Sequence, residues 1–350
     1  MKKYILIDGN NLAVRHAFAS PDLKNSSGIS TSVHFGVFQS LILLKKNFPD
    51  YQFLMVWDGH SKRRIEESEK AVKIGIIPKI YKANRKKDDM PQPLLNFYEQ
   101  SPYLKRAIGV TGIPQICLSD VEADDVINSY CQIMKKDNEI VVVTSDHDYY
   151  QLLDDNVKIF DGMKQKEITK ESLVKEYGIQ PKLWVDIGAF QGDDSDGIYG
   201  VPGWGEKTSL KMVAKYGSWE NVINALKQMY QAERNKLPDL KDIEGGDKLF
   251  SELSEMKSEK GNFVYPEIRF DMPFTGVLYE FNKGTVRGKK AEIMALLFQQ
   301  RAELAFSLKK MDCIESLPVI ESGILDKPKL IEYFEYYDIF SLQDELDVFA

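Results

Sequence analysis

The chain has 350 residues, of which 43% are hydrophobic and 28% charged, and its formal net charge is −7. That balance is ordinary for a globular protein with a sizeable core, and it excludes a low-complexity polypeptide and a uniformly basic nucleic-acid binder. The three cysteines, Cys117, Cys131 and Cys313, form no CxxC and lie in apolar contexts, so buried thiols in a reducing, cytosolic compartment are expected, with no signal peptide and no apolar run near the ~20 residues of a membrane span.

In chain order, Tyr4–Ile7 reads as an apolar strand ending at Asp8-Gly9-Asn10-Asn11, and Leu12–Phe18 turns helical. Ser32–Lys46 is an amphipathic helix with Val33, Val37, Leu41 and Leu44 as its stripe and Gly36 allowing close packing. Phe53–Trp57 is a second strand that also ends in an acid, Asp58. The segment from Lys62 to Lys87 then carries ten Lys or Arg against three Glu. Such a run reads either as a solvated charged helix or as a basic excursion overhanging the sheet edge. Leu94–Gly109 is the next helix and Pro114–Leu118 a third strand.

The stretch from Val121 to Asp148 organises the rest. Glu139–Ser145 is β-branched and too apolar to face water, which predicts a central strand of a parallel sheet, closed by Asp146 and Asp148. Before it, Val126, Ile127, Tyr130, Cys131 and Met134 recur at helical spacing, so a helix packs on the sheet and is expected to leave its amino end, Glu122-Ala-Asp-Asp125, exposed. Acids at a helix amino end serve as caps, and capping remains one reading of this cluster. It leaves unexplained why three strand ends also carry acids. Like charges gathered at one edge oppose each other unless a cation neutralises them. Carboxylates without nearby Cys or His favour Mg²⁺ or Mn²⁺ over zinc.

Beyond Asp148, a short helix Tyr149–Leu153, a strand Val157–Phe160, a helix Thr169–Tyr177 capped by Thr169 and ended by Gly178, and a helix Pro181–Phe190 are expected. A second acidic cluster, Gln191-Gly-Asp-Asp-Ser-Asp-Gly197, does not fit an EF-hand, because aligning Gly197 puts Gly192 at the first ligand and Gly203 at the Glu. The turn Gly200-Val-Pro-Gly-Trp-Gly-Glu-Lys-Thr208 lacks Walker A spacing but opens into the helix Ser209–Tyr216, where Lys207, Lys211 and Lys215 share a face suited to phosphate. Periodicity weakens between residues 227 and 288. Lys289–Lys310, Lys327–Phe340 and Ser341–Phe349 read as helices.

Taken in order, Asp8, Asp58, Glu122-Ala-Asp-Asp125, Ser145-Asp-His-Asp148, Gly192-Asp-Asp-Ser-Asp196 and the glycine turn resemble the 5′-nuclease, or flap endonuclease-like, family, with the match running from residue 3 to about 225. The resemblance implies an α/β, PIN-like core with a mostly parallel sheet over residues 1–195, a helical arch at about 60–92, and a helix-three-turn-helix part over 196–350 interrupted by an insertion at about 227–310. It implies a structure-specific 5′-3′ exonuclease or flap endonuclease that works with two or more Mg²⁺ or Mn²⁺ ions. The acids holding those ions would be Asp8, Asp58, Glu122, Asp124, Asp125, Asp146, Asp148, Asp193 and Asp196. Lys82 and Arg85 of the arch would act on the phosphate alongside Asp8, Glu122 and Asp124. DNA contacts would come from Arg15, Tyr81, Lys82, Arg85, Gly200, Val201, Gly203, Gly205, Lys207, Thr208 and Lys211, with a K⁺ ion at the glycine hairpin. Its expected partners are DNA bearing a 5′ flap, gap or free 5′ end, an RNA–DNA hybrid and replication proteins, in the cytoplasm of a cell or of a virus's host. His147 stands where the family usually has Lys and Gly197 where Asn is common, both outside the ligand set. The alternatives are a PIN-type ribonuclease, which lacks the hairpin and the basic excursion, and a non-catalytic DNA-binding scaffold, which has no reason to keep so many mutually repelling acids.

Overall fold

The computed structural model describes residues 1–83, 85, 90–201, 204–234, 289–314 and 316–350. They form two compact units, one made of Met1–Lys62, Arg85–Glu176 and Met311–Ala350, the other of Arg63–Asn84 and Tyr177–Lys310. The division differs from the expected one at residue 195: the basic segment groups with the second unit, and the carboxyl-terminal forty residues with the first. Most of the insertion expected at 227–310 lies outside the described residues.

The first unit is built on a six-stranded sheet in the order β3-β2-β1-β4-β5-β6, formed by β1 (Lys2–Asp8), β2 (Gln52–Trp57), β3 (Gln115–Cys117), β4 (Asn138–Val143), β5 (Val157–Asp161) and β6 (Lys166–Ile168). The first five run parallel. The apolar runs of β1 and β4 have no wet face, which places them at the centre: Ile5, Leu6, Ile7, Ile140 and Val142 are fully buried. Alternate residues serve opposite layers. Ile5, Ile7, Phe53, Met55, Trp57, Val141 and Val143 face one core with α1 (Gly9–Ala19), α2 (Ser32–Asn47), α4 (Gln92–Gly109) and the carboxyl-terminal segment. On the other side α5 (Ala123–Met134) lies along β1, β2 and β4. The expected stripe of α2 is buried, and Gly36 lies against the His16 ring.

Several local expectations are corrected. β6 is an antiparallel edge strand that three residues could not announce, and its exposed Lys166 and Glu167 discourage further pairing. The penultimate helix, α11 (Lys327–Tyr336), ends short of Phe340 because Asp338 takes a left-handed φ of 56°, and its carboxylate accepts the Ser26 N–H at 2.6 Å. Phe340–Phe349 is a 3-10 helix. Only Cys131 is buried; Cys117 and Cys313 are exposed, since a strand's last residue and an extended segment offer them no cover.

The second unit contains α3 (Lys62–Lys73, from Arg63 onward), α7 (Trp184–Gln191), the hairpin β7–β8 (Gly192–Asp193 and Ile198–Tyr199), α8 (Glu206–Tyr216), α9 (Trp219–Arg234) and α10 (Lys289–Lys309), while α6 (Lys170–Tyr177) closes the preceding sequence. α3 is not a purely solvated face: Arg64 is 1% exposed, and its Nε–H donates to the Leu308 carbonyl at the end of α10. Asp186 of α7 accepts the Trp219 N–H at 2.7 Å, capping α9. Burial pushes its pKa up to about 6 from 3.8. Between those values the unfolded chain loses its proton before the folded one does, so this group costs stability as pH rises through that window. Asp186→Asn keeps an acceptor and removes the buried charge. We expect a higher thermal midpoint than wild type at pH 7.5 and none of that gain near pH 3.5; a lower midpoint at pH 7.5 would contradict the assignment.

Candidate metal centre and nucleic-acid interface

Because β1, β2 and β4 are parallel neighbours, their carboxyl ends share one sheet edge, the usual place for a ligand in an open α/β sheet. Asp8 terminates β1 there and is 8% exposed. Its Oδ1 accepts the Asn11 N–H at 2.9 Å and its Oδ2 the Tyr149 hydroxyl at 3.0 Å. Asp58 follows β2, and its Oδ1 accepts the Ala123 N–H at 2.9 Å, capping α5. Asp146 follows β4 and accepts the Asp148 N–H at 2.8 Å, which caps the 3-10 helix His147–Leu152. Two asparagines join these ends. The side-chain oxygen of Asn10 accepts the Asp58 N–H at 3.3 Å, and that of Asn11 accepts the N–H and hydroxyl of Ser145 at 3.1 and 2.9 Å.

The amino end of α5 is buried rather than exposed, contrary to expectation: Glu122 is 6% and Asp125 3% accessible. Two contacts within the first unit account for this. Asp58 reaches in to cap the helix, and Asp125 Oδ1 accepts the Asp312 N–H at 2.7 Å from the returning carboxyl-terminal segment. Asp124 remains half-buried.

Burial, then the charges of Asp58 and Asp146, hold the Asp8 carboxyl well above the usual carboxylate range. The Tyr149 hydroxyl is likewise pushed up, by burial and then by Asp8, Asp124, Asp58 and Asp146. The charges of Asp8, Asp124, Asp58 and Asp146 all act on this buried hydroxyl, and Asp8 alone is hydrogen-bonded to it. Among the described residues no three His, Cys, Asp or Glu side chains close into a cage that would hold an ion by protein atoms alone. The carboxylates at this edge offer only oxygen donors, the ligand chemistry that suits a hard divalent cation.

Within the second unit Asp193 and Asp196 each meet a lysine. Asp193 Oδ1 accepts from the Ser195 N–H and hydroxyl at 2.9 and 2.7 Å, and its Oδ2 meets the Lys309 ammonium at 2.9 Å. Burial would raise its pKa, but Lys309 and these hydrogen bonds bring it below the ordinary value. Asp196 accepts the Tyr81 hydroxyl at 3.1 Å and lies 3.6 Å from Lys82 Nζ, while its backbone carbonyl accepts the Lys82 N–H at 2.7 Å. Sequence reasoning counted this pair as uncompensated; Lys309, over a hundred residues away, could not be paired with Asp193 from spacing. Tyr81 is 6% exposed in a small core with Ile198, Ala305 and Leu308, so its ring packs inside the unit. Lys82 holds a left-handed φ of 55°.

In the glycine turn, Val201 N–H donates to the Phe190 carbonyl at 2.7 Å, and a side chain at Gly200 would strike backbone of Phe190 and Gly192 at 2.4–2.5 Å. Gly205 begins α8, with open space where a side chain would stand. Lys207, Lys211 and Lys215 are exposed and Thr208 half-buried, whereas Val201 and Trp204 are buried anchors. Arg85 is exposed and Arg15 half-buried in the first unit; Gly203 lies outside the described residues.

Sequence reasoning missed Asn10, Asn11 and Tyr149. Short polar side chains beside a strand end often bond neighbouring backbone, and that signal could have marked the asparagines. Tyr149 enters the sequence reading only as the first residue of a short helix.

Comparison with known proteins matches residues 3–178 to the 5′-3′ exonuclease N-terminal resolvase-like domain and residues 179–259 to the 5′-3′ exonuclease C-terminal SAM fold. A 5′-3′ exonuclease of Aquifex aeolicus is 32% identical over 263 residues, covering 74% of this chain and 86% of the relative. Among solved structures, T5 5′-exonuclease with bound zinc ions has a TM-score of 0.52 at 19% identity, over 88% of this chain and all of that one. The catalytic core of Rad2 in complex with a DNA substrate has a TM-score of 0.56 at 14% identity, over 100% of this chain and 93% of that one. These two likenesses establish the fold: a mixed α/β domain with a mostly parallel sheet and a helical SAM-like part.

Proposed function

The chain belongs to the 5′-3′ exonuclease family, and on that premise we propose that it hydrolyses phosphodiester bonds of DNA near 5′ ends, as a structure-specific 5′-3′ exonuclease and flap endonuclease dependent on Mg²⁺ or Mn²⁺. The observation that carries this reading is the shared sheet edge at which parallel β1, β2 and β4 lead to Asp8, Asp58 and Asp146, with Asp58 reaching across to the start of α5. The divalent ions would be held by these acids with Glu122, Asp125 and Asp148. When bound, such ions supply a water nucleophile ionised near neutral pH and neutralise charge on the phosphate. No histidine is then required as a base. Asp193 and Asp196 hold the ammonium groups of Lys309 and Lys82. Lys82 and Arg85 offer their cations to the phosphate of the strand being cut. That T5 5′-exonuclease binds divalent ions and Rad2 a DNA substrate supports the same assignment here.

Duplex DNA would be gripped through the backbone of Gly200, Val201, Gly203 and Gly205, the Thr208 hydroxyl, Lys207 and Lys211, with Arg15 as a further phosphate contact and a K⁺ ion seated on the hairpin carbonyls. Suitable substrates carry a 5′ flap, a gap or a free 5′ end, on DNA or an RNA–DNA hybrid; replication proteins are the natural partners and the cytoplasm the setting, a host's if the protein is viral. Among the described residues no helix is long and apolar enough to cross a membrane.

Lys207→Ala and Lys211→Ala are expected to weaken binding equally on all duplex sequences and to reduce the salt slope by roughly one per lost phosphate contact. Sequence-dependent losses in salt titrations would instead indicate base readout. The proposed activity is tested by incubating 5′-flap DNA, blunt duplex and single-stranded RNA side by side with Mg²⁺. Cleavage of the DNA substrates with the RNA left intact supports it. Preferential loss of the RNA would mean a PIN-type ribonuclease, and binding of all DNAs without cleavage a scaffold.

A further inference from the structure

Tyr149 is 1% exposed, and its hydroxyl donates to the Asp8 carboxylate, itself 8% exposed at the sheet edge. A phenylalanine would fill the same space without burying a polar group, so packing alone does not account for a tyrosine here. We propose that Tyr149 is a positioning residue for the divalent-ion site, holding the Asp8 carboxylate in a fixed orientation through its hydroxyl. The inference rests on the reading of Asp8 as an ion ligand.

A free aspartate turns about two side-chain bonds, and one beside Asp58 and Asp146 would swing away from them. In this chain each oxygen of Asp8 has its own donor, the Asn11 N–H on Oδ1 at 2.9 Å and Tyr149 on Oδ2 at 3.0 Å. Both donors are themselves fixed. Asn11 is tied to Ser145 through two hydrogen bonds. Tyr149 rides on the 3-10 helix that Asp146 caps. The acid ending β1 is thus oriented by Tyr149, which follows β4, and by Asn11 of α1, which is tied to Ser145 at the same end, so that the Asp8 and Asp146 segments are set as one piece. Outer groups that orient a metal ligand typically change affinity by 10- to 100-fold when removed.

The test titrates the metal-free full chain with Mn²⁺, without DNA, reading free ion by electron paramagnetic resonance. Tyr149→Phe is expected to weaken Mn²⁺ binding by about 10- to 100-fold. 4-Aminophenylalanine at position 149, which restores a donor on the same ring, is expected to recover most of that loss. Asp8→Asn should weaken binding at least as much as the Phe variant. Wild-type affinity in Tyr149→Phe together with weakened Asp8→Asn would overturn the positioning role alone, and so would a loss that the amine does not recover. Wild-type affinity in Asp8→Asn would remove the reading on which the inference stands, and the inference with it. Should the Phe variant fail to fold by circular dichroism, 3,5-difluorotyrosine, nearly the same in shape but a stronger donor, carries the test: a shifted Mn²⁺ affinity supports the role and an unchanged one overturns it.

Discussion

Asp124→Asn is expected to lower single-turnover cleavage of a 5′-flap DNA by ~10³-fold or more while leaving duplex affinity within a few-fold. Asp124 is half-buried at the start of α5, and its charge reaches the same buried hydroxyl as those of Asp8, Asp58 and Asp146. Asparagine keeps the shape and removes the charge, so ion binding should suffer where folding should not. Lewis-acid and nucleophile chemistry supplied by bound ions is worth several kcal/mol, and about 4 kcal/mol corresponds to the stated loss at ~1.4 kcal/mol per tenfold. Duplex affinity is assigned to the glycine turn and α8, which contain no part of this cluster. Rapid-quench kinetics beside fluorescence-anisotropy binding separates the two terms. A variant that cleaves at wild-type rate would exclude Asp124 from the ion site; one that loses cleavage and duplex affinity together would mean a fold-wide effect.

The second large effect is expected at Lys82. Its side chain is 23% exposed and lies 3.6 Å from Asp196 and 4.9 Å from the centre of the Tyr81 ring, and its backbone is held left-handed by the 2.7 Å bond to the Asp196 carbonyl. A non-glycine residue in that conformation is uncommon, and here the bond to Asp196 fixes it. Were the basic segment only a solvated face, removing one of its ten cations would change little, because exposed charges are screened within ~8 to 10 Å at physiological salt. A cation acting on the phosphate in the transition state is worth roughly 3 to 4 kcal/mol, or ~10² to 10³ in rate. Lys82→Ala should therefore slow single-turnover cleavage by at least the lower factor, with substrate affinity nearly unchanged, and Lys62→Ala should do little. Equal small effects from both would return the stretch to a charged surface. Because Lys82 also neutralises Asp196, Lys82→Met belongs beside it as a measure of what the aliphatic stem contributes.

The core of the first unit was legible because its signals are local. β1, β2 and β4 are short β-branched or apolar runs whose lack of polar alternation predicts burial on both sides, and each ends in or leads within three residues to an acid at the shared sheet edge. The face of α5 was readable from Val126, Ile127, Tyr130 and Cys131 for the same reason. What could not be read depends on distant partners. Burial of Glu122 and Asp125 follows from Asp58 and Asp312, and neutralisation of Asp193 from Lys309. Spacing carries no record of such pairings. β6 was too short to show a period, and the exposure of Cys117 reflects its place at the end of a strand rather than its apolar neighbours. His147, standing where the family usually has Lys, is exposed and stacks on Tyr150 at 4.7 Å, so that departure leaves the acids on either side intact.

The central claim, divalent-ion-dependent cleavage of DNA from the 5′ side, is tested most directly by one time course. A duplex with a 5′ flap is labelled at the 3′ end of the flapped strand and incubated with the full chain in Mg²⁺, and in parallel with chelator. The labelled strand is expected to shorten only from its 5′ side, first near the flap junction and then stepwise, and to stay intact in chelator. Early release of the 3′ label as a mononucleotide, or equal cleavage in chelator, would contradict it.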